Sequence, residues 1–148
     1  MNERSYFINI KKFLLASLAA FLSLNITYAV IEGVLLGDYI DSAVTQPSGA
    51  LPPDAITGQS LALVMFAITA MSLIMAKIYP KGYEGGLPAV EGLKFGILMG
   101  MFYGIPFTFF FGTMFPISVS AILIMAIVTT LEVAVAGVLV GLVYGKME

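Results

Sequence analysis

Four stretches of this chain are apolar enough, and long enough, to cross a lipid bilayer: 13–36, 57–79, 89–111 and 118–143. A hydrocarbon core about 30 Å thick calls for about 20 helical residues rising about 1.5 Å each. Within that core every backbone amide must be satisfied internally, which a helix does. The expected fold is therefore an all-α membrane protein. It forms a single integral membrane domain over residues 1–148, with four transmembrane helices. Composition agrees, since 59% of residues are apolar and 11% charged, against about a quarter charged in soluble domains.

The first stretch invites a second reading. Lys11 and Lys12, an apolar run and Thr27-Tyr28-Ala29 have the layout of a secretory signal cut after Ala29. The apolar run continues to Leu36, so it is read here as a membrane span.

Charge placement orients the spans. Arg4, Lys11 and Lys12 precede the first, Lys77, Lys81 and Lys94 flank the second connection, and Lys146 follows the last. Those are all seven basic residues. The loop between the first two spans has Asp38, Asp41 and Asp54 but no Lys or Arg. The positive-inside rule then puts both termini in the cytoplasm, and the expected location is the cytoplasmic (inner) membrane of a prokaryote. Asp54 is placed to cap the second helix, and Glu91 lies near the positive end of the third.

The third and fourth stretches carry glycine at every fourth position. Gly92, Gly96, Gly100 and Gly104 line the third; Gly137, Gly141 and Gly145 line the fourth. Small residues at this spacing let helix backbones approach closely in lipid. A short connection forces the two helices to be antiparallel neighbours, so the expected arrangement is a glycine-seamed hairpin. Self-association through the same faces is the alternative. Leucine on the seam is expected to block the approach, and alanine to be milder. Glu91 to Gly104 also aligns with Glu132 to Gly145 at an offset of 41, but the two acids fall at different depths, so a shared seam explains the match better than a repeat. Pro106 gives no N–H to the Phe102 carbonyl and is expected to kink the third helix. Phe107, Phe109, Phe110, Phe111 and Phe115 read as aromatics facing lipid or the interface.

Glu132 is the most unusual residue. It falls near the middle of the last span, where a carboxylate costs several kcal/mol. The responses open to it are protonation, a polar partner or a water-filled cavity. Helical periodicity puts Met125, Val128, Thr129, Ala136 and Leu139 on its face and the glycines on the opposite one. Glu132 is thus expected to turn from the third helix toward the first or second helix, or a partner chain. Asn25 lies at matching depth, and Asn25, Tyr28 and Glu32 share one face of the first helix. Thr69 and Ser72 in the second helix, and Tyr103 in the third, complete a candidate polar layer. Within it, Glu132 is either neutral and bonded to Asn25 as interhelical glue, or a proton or cation site, or a contact to another subunit or lipid. Glu32 lies about a turn from the outer boundary and is expected to reach water.

Lys81-Gly82-Tyr83-Glu84-Gly85, Glu91-Gly92-Leu93-Lys94-Phe95-Gly96 and the run from Glu132 to Tyr144 together resemble a group of small, uncharacterised prokaryotic four-span integral membrane proteins. The resemblance covers the C-terminal half. It implies a four-helix membrane protein and brings with it no activity or catalytic residue.

The sequence has no Cys and no His, which excludes disulfides, thiolate metal sites and a Ser-His-Asp triad. No motif marks a nucleotide or nucleic-acid site, and neither a cofactor nor a metal is expected. The expected function is that of a non-enzymatic accessory or structural subunit. It would sit among lipids in a homo-oligomer or with other membrane subunits. The alternative is a small proton- or cation-coupled transporter using Glu132. A lipid-active enzyme is the weakest reading, because no nucleophile has a base beside it.

Overall fold

The computed structural model describes residues 9–39, 58–115 and 117–145. Among them it contains four helices of membrane-spanning length and apolarity. They are α1 (Ile10–Val30), α2 (Gly58–Ile78), α3 (Pro88–Met114) and α4 (Val119–Tyr144). The chain is an all-α, multi-pass membrane protein. Expectations about Asp41 and Asp54 fall outside the described residues.

Local chemistry sets several helix ends. The Asn9 side chain accepts from the amides of Lys11 (3.1 Å) and Lys12 (3.3 Å), satisfying donors that the first turn of α1 leaves open. Pro88 takes the first position of α3, where its missing N–H costs nothing. Ser118 caps α4 by accepting from the Ala121 amide at 3.3 Å. Gly145 ends α4 at φ 65°, a conformation that favours glycine, with no atom within 4 Å of a Cβ built on it. It is a cap, not a packing residue of the seam.

α1 does not stop where its α-helical hydrogen bonding does. Residues Ile31–Leu35 continue it as one π-helical turn, in which the Leu36 amide donates to the Ile31 carbonyl at 2.8 Å. Such insertions are rare and often mark functional positions. α3 stays helical through Pro106, and buried Thr108 donates to the carbonyls of Gly104 (2.7 Å) and Ile105 (3.2 Å).

α4 is the central helix. It packs along α3 and against α1, and α1 in turn packs against α2. The α3–α4 contact is the glycine seam. A Cβ on Gly96 would lie 2.7 Å from Ala134 Cα, and one on Gly100 would lie 2.8 Å from Thr130 Cα. Gly92 faces Gly137, and Gly141 faces Pro88 and Gly92. Only residues without side chains permit backbones this close.

The buried core sits toward one end of the bundle. Ala16, Ala20 and Leu24 of α1 meet Val133, Ala136, Val140 and Tyr144 of α4, with Met75 and Ala76 from the end of α2 and Tyr79 just beyond it. Lys11, Lys12, Lys77, Lys81 and Lys94 all belong to this basic end. Elsewhere large apolar side chains such as Leu14, Phe66, Phe102 and Leu131 are exposed around the molecule, as contact with lipid tails requires.

Candidate functional site

α1, its π-helical continuation, α3 and α4 contribute four polar side chains to one electrostatically linked group in the half of the bundle away from the lysines. Glu32 interacts with Tyr28, with Tyr103 and with Glu132, and Tyr28 also feels Glu132. Glu32 is therefore the hub of the cluster, although by depth alone it is the less exceptional acid.

Glu132 is 6% exposed, and its Oε1 has no hydrogen-bond partner. The helix supplies the reason for its burial. Thr130, Val133, Ala134 and Gly137 face the α3 glycines, which turns Glu132 away from the seam and toward α1. Beneath it, at i+4, i+8 and i+12, lie Ala136, Val140 and Tyr144, all buried. The carboxyl therefore rests on a closed apolar column on its basic-end side.

The remaining members of the expected polar layer are elsewhere. Asn25 Nδ2 donates to the Phe21 carbonyl of its own helix at 2.8 Å and so does not pair with Glu132 Oε1. Thr69 is exposed and donates to the Met65 carbonyl at 2.7 Å, so it faces away from the cluster. Ser72 is buried but bonds the Ile68 carbonyl at 2.7 Å. Each has satisfied itself within its own helix, the local alternative open to short polar side chains. Tyr103 belongs to the cluster and also starts a ladder of rings on α3. It stacks on Phe107 at 5.4 Å, Phe107 on Phe111 at 6.2 Å, and Phe111 meets Phe115 at 4.4 Å.

The basic end holds a second constellation that the sequence reading did not anticipate. Tyr79, 1% exposed, stacks on Tyr144 at 5.7 Å, meets Phe95 edge-on at 5.5 Å and lies 6.2 Å from Tyr83. Tyr144 Oη donates to the Ala76 carbonyl at 2.7 Å, and Lys12 Nζ donates to the Tyr144 carbonyl at 2.8 Å. Glu91, in the first turn of α3 near its positive end, is buried and paired with Lys94 at 3.2 Å. Rings from α3, α4 and the segment that follows α2 thus form a clasp. Nothing in the sequence joins Tyr79 to Tyr144, because only the tertiary fold brings them together.

Ser23 is also buried with an unpartnered hydroxyl. An open apolar groove of about 430 Å³ runs between α3 and α4, lined among others by Met101, Ile105, Phe109 and Leu123. Glu132 does not line it. Among the described residues no three His, Cys, Asp or Glu side chains are grouped to hold a metal ion. Comparison with protein-family models, curated proteins and solved structures gives no match.

Proposed function

We propose that this protein is a non-enzymatic carrier of protons or small cations in a prokaryotic cytoplasmic membrane, with Glu132 as the binding group. The observation that carries the reading is the buried carboxyl whose Oε1 has no partner. An acid kept for interhelical glue needs a mate, and Asn25, the residue best placed by depth, bonds its own helix instead. An acid kept for contact with another subunit needs exposure, and Glu132 is enclosed by its own chain. What remains is a group that can take up and release a charge, the usual role of an acid within a membrane. The all-lysine end is assigned to the cytoplasm on the positive-inside rule.

The test is ion movement in reconstituted vesicles, read with a pH-sensitive dye under an imposed gradient. Glu132→Gln keeps shape and hydrogen-bonding capacity but cannot ionise, so it should fold and abolish the flux. Undiminished flux in this variant would sink the reading.

A second reading, an accessory subunit, is favoured by α2. It has the lowest share of buried residues of the four spans and leaves apolar flanks such as Leu63 and Phe66 exposed. Native purification followed by mass spectrometry tests it: a stoichiometric partner, or a stable homo-oligomer, would support it.

A further inference from the structure

We propose that, in the conformation of this structure, Glu132 exchanges its proton with one face of the membrane by way of Glu32, while the tyrosine clasp closes the route to the lysine-bearing face, which the carrier opens in a second conformation to complete transport. The inference rests on Glu132 being an ion-binding group, and it names the proton as the ion and Glu32 as its relay.

Three independent features lead to it. The first is the enclosed carboxyl of Glu132, whose Oε1 is unsatisfied. The second is what lies on either side of it. Toward the lysines, Ala136 and Val140 are fully buried and Tyr144 nearly so, and the column ends in the Tyr79–Tyr144 stack. Tyr144 is twelve residues on, so the barrier is about 18 Å deep at 1.5 Å per residue. Of the hydroxyls on this side, Ser17 donates to the Phe13 carbonyl, Ser72 to the Ile68 carbonyl and Tyr144 to the Ala76 carbonyl, while Ser23, close to the level of Glu132, is unpartnered. Toward the opposite face α4 also buries Val128, but the first span opens there: Tyr28 is 52% exposed, and the next acid is Glu32, half-buried near the end of its span.

The third feature is the π-helical turn that carries Glu32. A π turn winds less per residue than an α turn, so it shifts the side chains that follow around the helix axis. Tyr28 and Glu32 follow Leu24 at i+4 and i+8, and Leu24 packs in one cluster with Ala136 of α4, one turn from Glu132; the electrostatic coupling of Glu32 to Glu132 agrees with that placement.

The ionisable groups around Glu132 are therefore Tyr28 and Glu32 from the first span, with Tyr103 of α3 reaching Glu32. In α2 the one charged residue is Lys77, in the last turn at the basic end. The donor set suits a proton, because no third carboxylate, histidine or thiolate joins the two acids among the described residues. In the transfer step the Glu132 O–H breaks and its proton passes to a bridging water, which releases one of its own protons to form an O–H on the Glu32 carboxylate. Glu32 then gives the proton to water at its boundary. Loading runs in reverse, and no other bond changes.

The test uses the full chain in vesicles of phosphatidylethanolamine and phosphatidylglycerol, sorted by orientation. The infrared carboxyl band lost in Glu132→Gln is followed after a pH step on one side. In the wild type the band should respond quickly to a step at the face opposite the lysines and slowly to one at the lysine face. Glu32→Gln should slow the fast response on the order of a hundredfold, the scale of losing a positioned proton-transfer group. Tyr144→Ala should speed the slow one. Equal responses from both faces, or a fast response unchanged in Glu32→Gln, overturn the proposal while leaving Glu132 a proton site. If no carboxyl band that titrates is lost in Glu132→Gln, the ion-binding reading fails as well.

Discussion

Gly137 and Gly96 are pressed together across the α3–α4 seam: a methyl group built on Gly137 would lie 2.6 Å from Gly96 Cα. The obstacle is backbone, which cannot turn aside as a side chain can. Alanine is therefore not a mild change here, contrary to what glycine spacing alone leads one to expect. Gly96→Ala, Gly100→Ala and Gly137→Ala should each destabilise the protein by about 1–3 kcal/mol, the scale of forced overpacking. Gly104→Ala should cost less, because its nearest neighbour is the Thr129 methyl at 3.2 Å. Gly33→Ala serves as the control, with nothing within 4 Å of the added atom. Thermal unfolding in detergent ranks the five. Equal melting temperatures would mean that the seam is not a tight contact.

Glu132 gives a second stability test. An unsatisfied buried polar atom costs about 1–3 kcal/mol, so Glu132→Leu should stabilise the fold by a similar amount while removing ion movement. This opposition of stability and activity is common at functional positions. A destabilised leucine variant would show that the carboxyl has a partner in the membrane.

The clasp supplies a third. Tyr144→Phe keeps the ring stacked on Tyr79 and deletes only the hydroxyl that donates to Ala76. Its expected cost is about 1 kcal/mol, the net value of one hydrogen bond. Tyr79→Ala should cost about 3–5 kcal/mol, because it empties a fully enclosed aromatic site. Denaturant titration separates the two.

Topology is checked by chemistry. The chain has no cysteine, so Ser48→Cys and Glu84→Cys each introduce a unique thiol. An impermeant thiol reagent applied to intact cells should label the first, and the second only after the membrane is opened. The reverse pattern would invert the orientation assigned from the lysines.

Where the sequence was informative, the relevant physics was local or periodic. Span positions follow from runs of apolar residues, and the Gly92–Gly104 and Gly137–Gly141 faces follow from a spacing of four. Gly145 continues that spacing but lies past the last turn, where backbone conformation rather than packing calls for glycine. Asn25 and Thr69 have the right depth for a polar layer, yet depth says nothing of which partner a side chain takes. Both take carbonyls of their own helix. Glu32 sits on a π turn, for which apolar periodicity gives no signal. The Ala16–Ala20 contact of α1 was visible in principle as small residues four apart, a quieter version of the glycine pattern.

The peripheral place of α2 has a consequence for how the molecule breathes. Its hydroxyl link to α4 runs through Ala76, close to its basic end, and it packs mainly against α1, with little contact to α4. A helix tethered at one end loosens from the other, with a free energy well below that of unfolding the whole chain. Backbone amides in the Leu61 half of α2 should exchange with deuterium well before those of the interlocked α3 and α4. The chain thus has two tiers of cooperativity: a hairpin that opens only when everything does, and an outlying rod that swings on a tyrosine hinge.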